Sequence, residues 1–331
     1  MTDRKQEHID LAFKTQLDAV FKDNRFYYEP MLRAHPVELK KEFLFLGKTM
    51  GAPLWISSMT GGTEKAGLIN RNLAKMCKEF GLGMGLGSCR KLLDNKDHWD
   101  DFDLRDEIGD QPFYANLGVA QIEELLALKR VDKIKRLVSE LRTDGLVIHV
   151  NPLQEWFQPE GDRFKKSPVY TISELLEKVN FPIIVKEVGQ GMGIESLRQL
   201  LQLPLEAVEF AAFGGTNFAK VESLRAREGI QSYEPFTKVG HTGEEMVAFV
   251  NRIISEGKDI VCKQIIISGG VKNFLDGYYL IETCNLLSIY GHGVNFLKYA
   301  TKGYDELKKY VEGQILGLRI AEAYLKVRNS E

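Results

Sequence analysis

Between Pro53 and about residue 300 the chain repeats one pattern, a short apolar run followed by an amphipathic stretch. The runs are PLWISS, GLGMGLG, PFYANL, GLVIHV, PIIVKEV, AVEFAAF, QIIIS and LLSIY. Such runs, mostly apolar without alternation and rich in Val and Ile, fit strands buried on both faces, as in a parallel sheet. Repeated strand and helix imply an α/β fold, and about eight units favour a closed (β/α)8 TIM barrel over an open doubly wound sheet. No GxGxxG follows the first run, which weakens the dinucleotide-binding alternative further. Residues 1–52, with a helical IDLAFKTQLDAVF and an extended ELKKEFLFLG, read as an N-terminal extension covering one end of the barrel. Residues 53–331 read as the barrel itself, closed by the helical pattern YDELKKYVEGQILGLRIAEAYL.

Composition narrows the partners. The counts of 44 Lys plus Arg and 46 Asp plus Glu leave no global field to recruit nucleic acid or an anionic membrane, so any anion site must be local. No apolar run approaches a bilayer span, and the opening MTDRKQEHIDLAFK lacks the apolar stretch of a signal peptide, which together predict a cytoplasmic protein. Four cysteines without CxxC spacing speak against a disulfide framework or a zinc site.

In a barrel of this kind the chemistry sits at the C-terminal ends of the strands. That rule selects Ser58, Met59, Thr60, Gly61 and Gly62 after the first run, Ser88, Cys89 and Arg90 after the second, and Asn116 and Gly118 after the third. It selects His149, Asn151, Gln154 and Glu155 after the fourth, and Lys186 and Glu187 in the fifth. Gly214, Gly215 and Thr216 follow the sixth run, and Ser268, Gly269 and Gly270 the seventh. The glycine pair of SGGVKN suits either a phosphate cradle or a tight turn. Lys186, inside an apolar strand, needs an anionic or electron-rich partner; a salt bridge to Glu187 is a poor one, because neighbouring strand residues point to opposite faces. HVNPLQE is the richest polar cluster, and Glu155 in it is a hard oxygen ligand of the kind Mg²⁺ takes together with substrate phosphates. Arg4 and Lys5 are a basic pair that matters only if the N-terminus folds over the site.

These motifs, in this order, resemble the type 2 isopentenyl diphosphate isomerases, an FMN-dependent (β/α)8 family of isoprenoid metabolism. The resemblance rests on RKxxHI at Arg4 to Ile9, SSMTGG at Ser57 to Gly62, GSCR at Gly87 to Arg90 and ANLGVAQ at Ala115 to Gln121. It continues through HVNPLQE at His149 to Glu155 and its sequel QPEGD, VKEVGQGM at Val185 to Met192, GGTNFA at Gly214 to Ala219, and SGGV at Ser268 to Val271. It implies that Ser58, Met59, Thr60, Ser88, Asn116, Lys186 and Thr216 contact FMN and that Gly269 and Gly270 cradle its phosphate. It further implies that Arg4, Lys5, Ser88 and Arg90 hold the substrate diphosphate, that His149, Asn151 and Gln154 face the substrate as the catalytic group, and that Glu155 binds Mg²⁺. The implied partners are NADPH as flavin reductant, a small diphosphate substrate, and further copies of the chain in a symmetric homo-oligomer.

The chain departs from the family at several points. GSCR replaces the usual GSQR, Ala211 and Ala212 precede GGT where a small polar residue and a glycine are usual, and Phe218 replaces a common Trp. After SGG stand Lys272, Phe274, Tyr279, Cys284, Asn285 and His292, so the phosphate half is partly rewritten; Lys272, Gly291, His292 and Gly293 can still supply charge and backbone amides. Two other readings therefore stand beside the isomerase: an FMN barrel oxidising another small substrate, and a non-catalytic barrel that binds a phosphorylated ligand after losing stable FMN binding.

Overall fold

A computed structural model describes residues 4–37, 42–58, 64–225, 230–257 and 259–328. All eight apolar runs form strands: Leu54–Ile56, Gly83–Gly85, Phe113–Gly118, Gly145–His149, Ile183–Lys186, Ala207–Glu209, Gln264–Ser268 and Leu287–His292. Each pairs in parallel with its neighbours in chain order, and the eighth pairs with the first, so the sheet closes into a barrel with helices outside.

Alternation along the strands sorts their residues into two cores. Outward residues such as Leu54, Ile148, Val185 and Ile267 pack under the helices in one large cluster. Inward residues Trp55, Tyr114, Val147, Ile184, Ala207, Ile266 and Ile289 fill the barrel. A hairpin of the extension, Phe43–Phe45 with Lys48–Met50, adds Phe45, Leu46 and Met50 to this inner cluster. The Leu46 amide donates to Gln264 Oε1 at 2.8 Å, at the start of the seventh strand, so the hairpin plugs the N-terminal mouth. The opposite mouth is left for chemistry.

Helix Arg4–Ala12 buries none of its residues. The helical pattern expected over residues 9–21 breaks after Ala12, and only a short 3-10 turn follows at Ala19–Phe21. Without tertiary packing so short a helix has little to propagate it. Farther on, Phe26–Tyr28 pairs antiparallel with Leu325–Val327, just after the long C-terminal helix Tyr304–Tyr324. Arg25 extends this join to the helix after the seventh strand, bonding Asp276 at 2.9 Å and lying over the Tyr279 ring. No helix among the described residues is long and apolar enough to cross a membrane.

Candidate active site

Two residues beyond the apolar inner layer, each strand places its next inward position. Those positions are Ser57, Gly85, Asn116, His149, Lys186, Glu209, Ser268 and Gly291, every one polar or glycine. The barrel thus changes from hydrocarbon to hydrogen-bonding chemistry within one step of the strand period, at its C-terminal end.

On the side of strands five to eight this layer floors a cavity of about 450 Å³, within the size range of cofactor sites. Ser57, Ser58, Lys186, Glu209, Thr216, Ser268, Gly269, Gly270, Lys272, Gly291 and His292 line it. Lys186, buried, donates from Nζ to the Glu187 carbonyl at 2.9 Å. The Glu187 carboxylate points elsewhere and accepts the amides of Gly189, Gln190 and Gly191, so the two adjacent charges do not pair through their side chains. Gly269 and Gly270 have φ of +84° and +72°, and a Cβ on Gly269 would collide with the Ala212 backbone. Glycine is therefore required there for the loop to close against the sixth strand.

Several buried polar atoms around this cavity have no hydrogen-bond partner among the described residues: Ser57 Oγ, Ser58 Oγ, Glu209 Oε2 and His292 Nε2. An unsatisfied buried polar group costs about 1–3 kcal/mol, so four at one cavity mark a place where a polar ligand completes the protein. His292 is buried, which pushes its imidazole down to about 4 and leaves it neutral at ordinary pH.

The other side, at the ends of strands two to four, is a network of side chains bonded mostly to one another. His149 Nδ1 meets Asn116 Oδ1 at 2.8 Å, and Asn116 Nδ2 donates to the Leu86 carbonyl. Asn151 Nδ2 donates to Gln154 Oε1 at 3.1 Å and to Glu155 Oε1 at 2.9 Å, while Glu155 Oε2 accepts the Asp162 amide at 2.8 Å. Asp162 Oδ2 in turn holds Arg90 at 3.0 Å and Gln121 Nε2 at 2.8 Å. Burial, then the nearby Lys186 charge, pushes the His149 imidazole down to about 3, so it is a neutral hydrogen-bonding group. His149 lies opposite Lys186 in the register of strands four and five, which joins this network to the cavity.

The site residues predicted from sequence thus fall into four groups. Ser58, Lys186, Thr216, Gly269, Gly270, Gly291 and His292 share the cavity. Asn116, His149, Asn151, Gln154, Glu155 and Arg90 form the adjoining network, with Ser88 exposed beside it, its Oγ 3.4 Å from the Arg90 amide. Arg4 and Lys5 stand on the exposed helix Arg4–Ala12. Met59 and Thr60 lie outside the described residues.

Sequence reasoning missed Glu209, Asp162 and Glu222. Glu209 interrupts AVEFAAF as Lys186 interrupts PIIVKEV, and the cost of burying a charge would have singled it out equally. It is fully buried, directly opposite Lys186 in the strand register. Glu222, buried in helix Phe218–Arg225, bonds Arg225 at 3.0 Å and meets Gln154 Nε2 at 3.4 Å. No local pattern announces that contact.

No family model matches the chain. Comparison with solved structures finds a mandelate oxidase variant with an FMN adduct, at TM-score 0.55 and 13% identity over 92% of this chain and 88% of that one. A flavocytochrome b2 variant with pyruvate bound aligns at TM-score 0.62 and 14% identity, over 90% and 72% of the two chains. These likenesses establish the TIM-barrel fold. Sequence relatives are nearer. The isopentenyl-diphosphate delta-isomerase of Deinococcus radiodurans is 36% identical over 282 residues, covering 82% of this chain and 79% of that protein. The protein of the same name in Rickettsia felis is 33% identical over 324 residues, 96% of this chain and 91% of that protein. At this identity over most of the length of both partners, the chain belongs to the isopentenyl-diphosphate delta-isomerase family, of type 2.

Proposed function

We propose that this barrel binds FMN and Mg²⁺ and converts isopentenyl diphosphate to dimethylallyl diphosphate, with NADPH as the reductant that brings the flavin to its working state. The observation that carries the reading is the junction of the two halves: the cavity with its partnerless polar atoms adjoins, through His149 and Lys186, a network holding one buried carboxylate.

The residues present fit FMN. The glycine pair at Gly269 and Gly270 admits a phosphate to the backbone, His292 and Lys272 supply a donor and a charge, and Ser57 and Ser58 offer hydroxyls that have no partner among the described residues. Lys186 would stand at the ring, where an ammonium stabilises added negative charge. Reduced FMN, when bound, supplies an electron-rich, protonatable surface for an isomerisation without net redox change.

On the substrate side, His149 stays neutral and offers its ring edge without adding charge. Glu155 keeps lone pairs beyond those used by Asn151 and Asp162, and buried Asn151 Oδ1 has no partner among the described residues. These hard oxygens suit Mg²⁺, which commonly takes one or two carboxylates and completes its shell with water and substrate phosphate. Arg90, held by Asp162, stands ready for the diphosphate.

One observation favours the non-catalytic alternative. In the rewritten region Tyr279 packs edge-on to Phe26, and Phe274 packs on Gly317 of the C-terminal helix, so both serve the scaffold. The deciding experiment loads the purified protein with FMN, reduces it with NADPH, adds Mg²⁺ and isopentenyl diphosphate, and follows formation of the isomer by NMR. Turnover that stops on removing Mg²⁺ supports the proposal. A colourless protein that retains diphosphate affinity supports the alternative.

A further inference from the structure

His292 ends the eighth strand with Nδ1 bonded outward and Nε2 turned to the seventh strand's loop, where the Val271 backbone acts on the ring as an acceptor. Nδ1 lies 2.5 Å from the hydroxyl of Tyr310, which comes from the helix Tyr304–Tyr324 outside the barrel. Nε2 is buried and makes no full hydrogen bond among the described residues, and the residue lines the cavity beside the glycine pair of the seventh strand's loop. Tyr310 is itself fixed, stacked on Tyr299 at 4.4 Å between ring centroids and set edge-on to Phe296 at 5.6 Å.

Which nitrogen carries the proton of a neutral imidazole is decided by the hydrogen bond the other one makes. A hydroxyl can both give and take. Asn295 favours the ionised phenol, as a donor to its oxygen does, and the Val271 backbone favours the protonated ring, as an acceptor at Nε2 does; both leave the phenol proton for His292 Nδ1. With Nδ1 accepting, Nε2 must hold the ring proton. The opposite tautomer would turn a lone pair toward the cavity and repel an anion.

We propose that Tyr310 is a positioning residue that locks the Nε2–H tautomer of His292, so that a neutral, preoriented N–H meets the phosphate of the bound cofactor. The inference rests on the flavin reading for the identity of the ligand, while the tautomer itself belongs to the protein alone. It gives the rewritten phosphate half a working donor: His292 supplies direction, and Lys272 at the rim supplies charge. Burial supports it, because a ring held near 4 does not become a cation at neutral pH.

The test compares FMN with riboflavin, which lacks the phosphate. Tyr310→Phe keeps both ring contacts and removes one hydroxyl. It is expected to weaken FMN binding about tenfold, the scale of one misdirected hydrogen bond to a charged group, and to leave riboflavin binding within about twofold. In a His292→Gln background, where a side-chain amide replaces the imidazole, Tyr310→Phe is expected to have little further effect on FMN. Nitrogen-15 NMR of the wild-type apoprotein should show Nδ1 unprotonated and Nε2 protonated, with Nε2–H shifting as inorganic phosphate is added. A proton on Nδ1, or equal weakening of FMN and riboflavin by Tyr310→Phe, overturns the proposal. Should the wild type bind neither flavin, the functional reading fails, yet the nitrogen spectrum with phosphate still decides the role of Tyr310.

Discussion

The two halves of the site are built on opposite terms. Among the described residues, nearly every polar atom around His149, Asn151 and Glu155 answers another protein atom, whereas several around Lys186, Glu209 and His292 answer none. Satisfied networks hold their geometry without help, and unsatisfied ones gain most from a ligand. On the proposed reading, the substrate side is rigid before binding and the cofactor side gains stability when filled.

The strongest blow to the closed half is Glu155→Gln. The new NH2 would face one of the two donors, Asn151 Nδ2 or the Asp162 amide, and the negative charge Mg²⁺ needs would be lost, so activity should fall on the order of a hundredfold while the flavin spectrum is kept. An active variant with unchanged Mg²⁺ dependence would remove the metal assignment. In the open half Gly269→Ala should cost about 1–3 kcal/mol, through both its φ of +84° and its clash with Ala212, and should lower FMN affinity with stability. Denaturant midpoints with and without FMN separate the two.

Smaller effects sharpen the comparison at the shared edge. Lys186→Ala should lower the flavin midpoint potential by roughly 30–60 mV, where 30 mV of a two-electron couple is about 1.4 kcal/mol. Glu209→Gln should move it upward by less, because a carboxylate opposite Lys186 in the register opposes added negative charge. Shifts of the same sign would show that the two charges do not act on one ligand.

Acid tests both halves together. Unfolded histidine takes its proton near pH about 6.5. Folded His149 does so only near about 3. Between those values the unfolded chain binds more protons, so stability falls as pH drops through that window. His292, held near about 4, adds to the same slope. His149→Asn should make the acid limb of urea midpoint against pH shallower; an unchanged slope would mean that the ring is protonated more easily than its burial implies.

The barrel was legible because strands buried on both faces leave continuous apolar runs, and all eight formed where such runs stand. Lys186 was legible for the same reason, as a charge in hydrocarbon, and Glu209 was equally so had the rule been applied twice. The plug of Phe45, Leu46 and Met50 was not, since a short hairpin gives no sign of which mouth it enters. Nor was the 3-10 stretch Ile230–Lys238, which interrupts the repeat before helix Gly243–Ser255 and packs Tyr233 on Phe157. Partners such as Arg90 with Asp162, or His292 with Tyr310, are separated in sequence and meet only once helices pack on the barrel.

The pairing of Phe26–Tyr28 with Leu325–Val327 carries a consequence in time. A ribosome releases the first of these segments long before the second, so the early strand must wait, unpaired, while the whole barrel is made. Arg25 waits with it, and its bond to Asp276, in the helix after the seventh strand's glycine loop, cannot be braced until the late strand arrives. Contacts so distant along the chain form late in folding. On the proposed reading, cofactor capture belongs to the finished protein and not to its synthesis, and a cell short of flavin would hold folded, empty barrels.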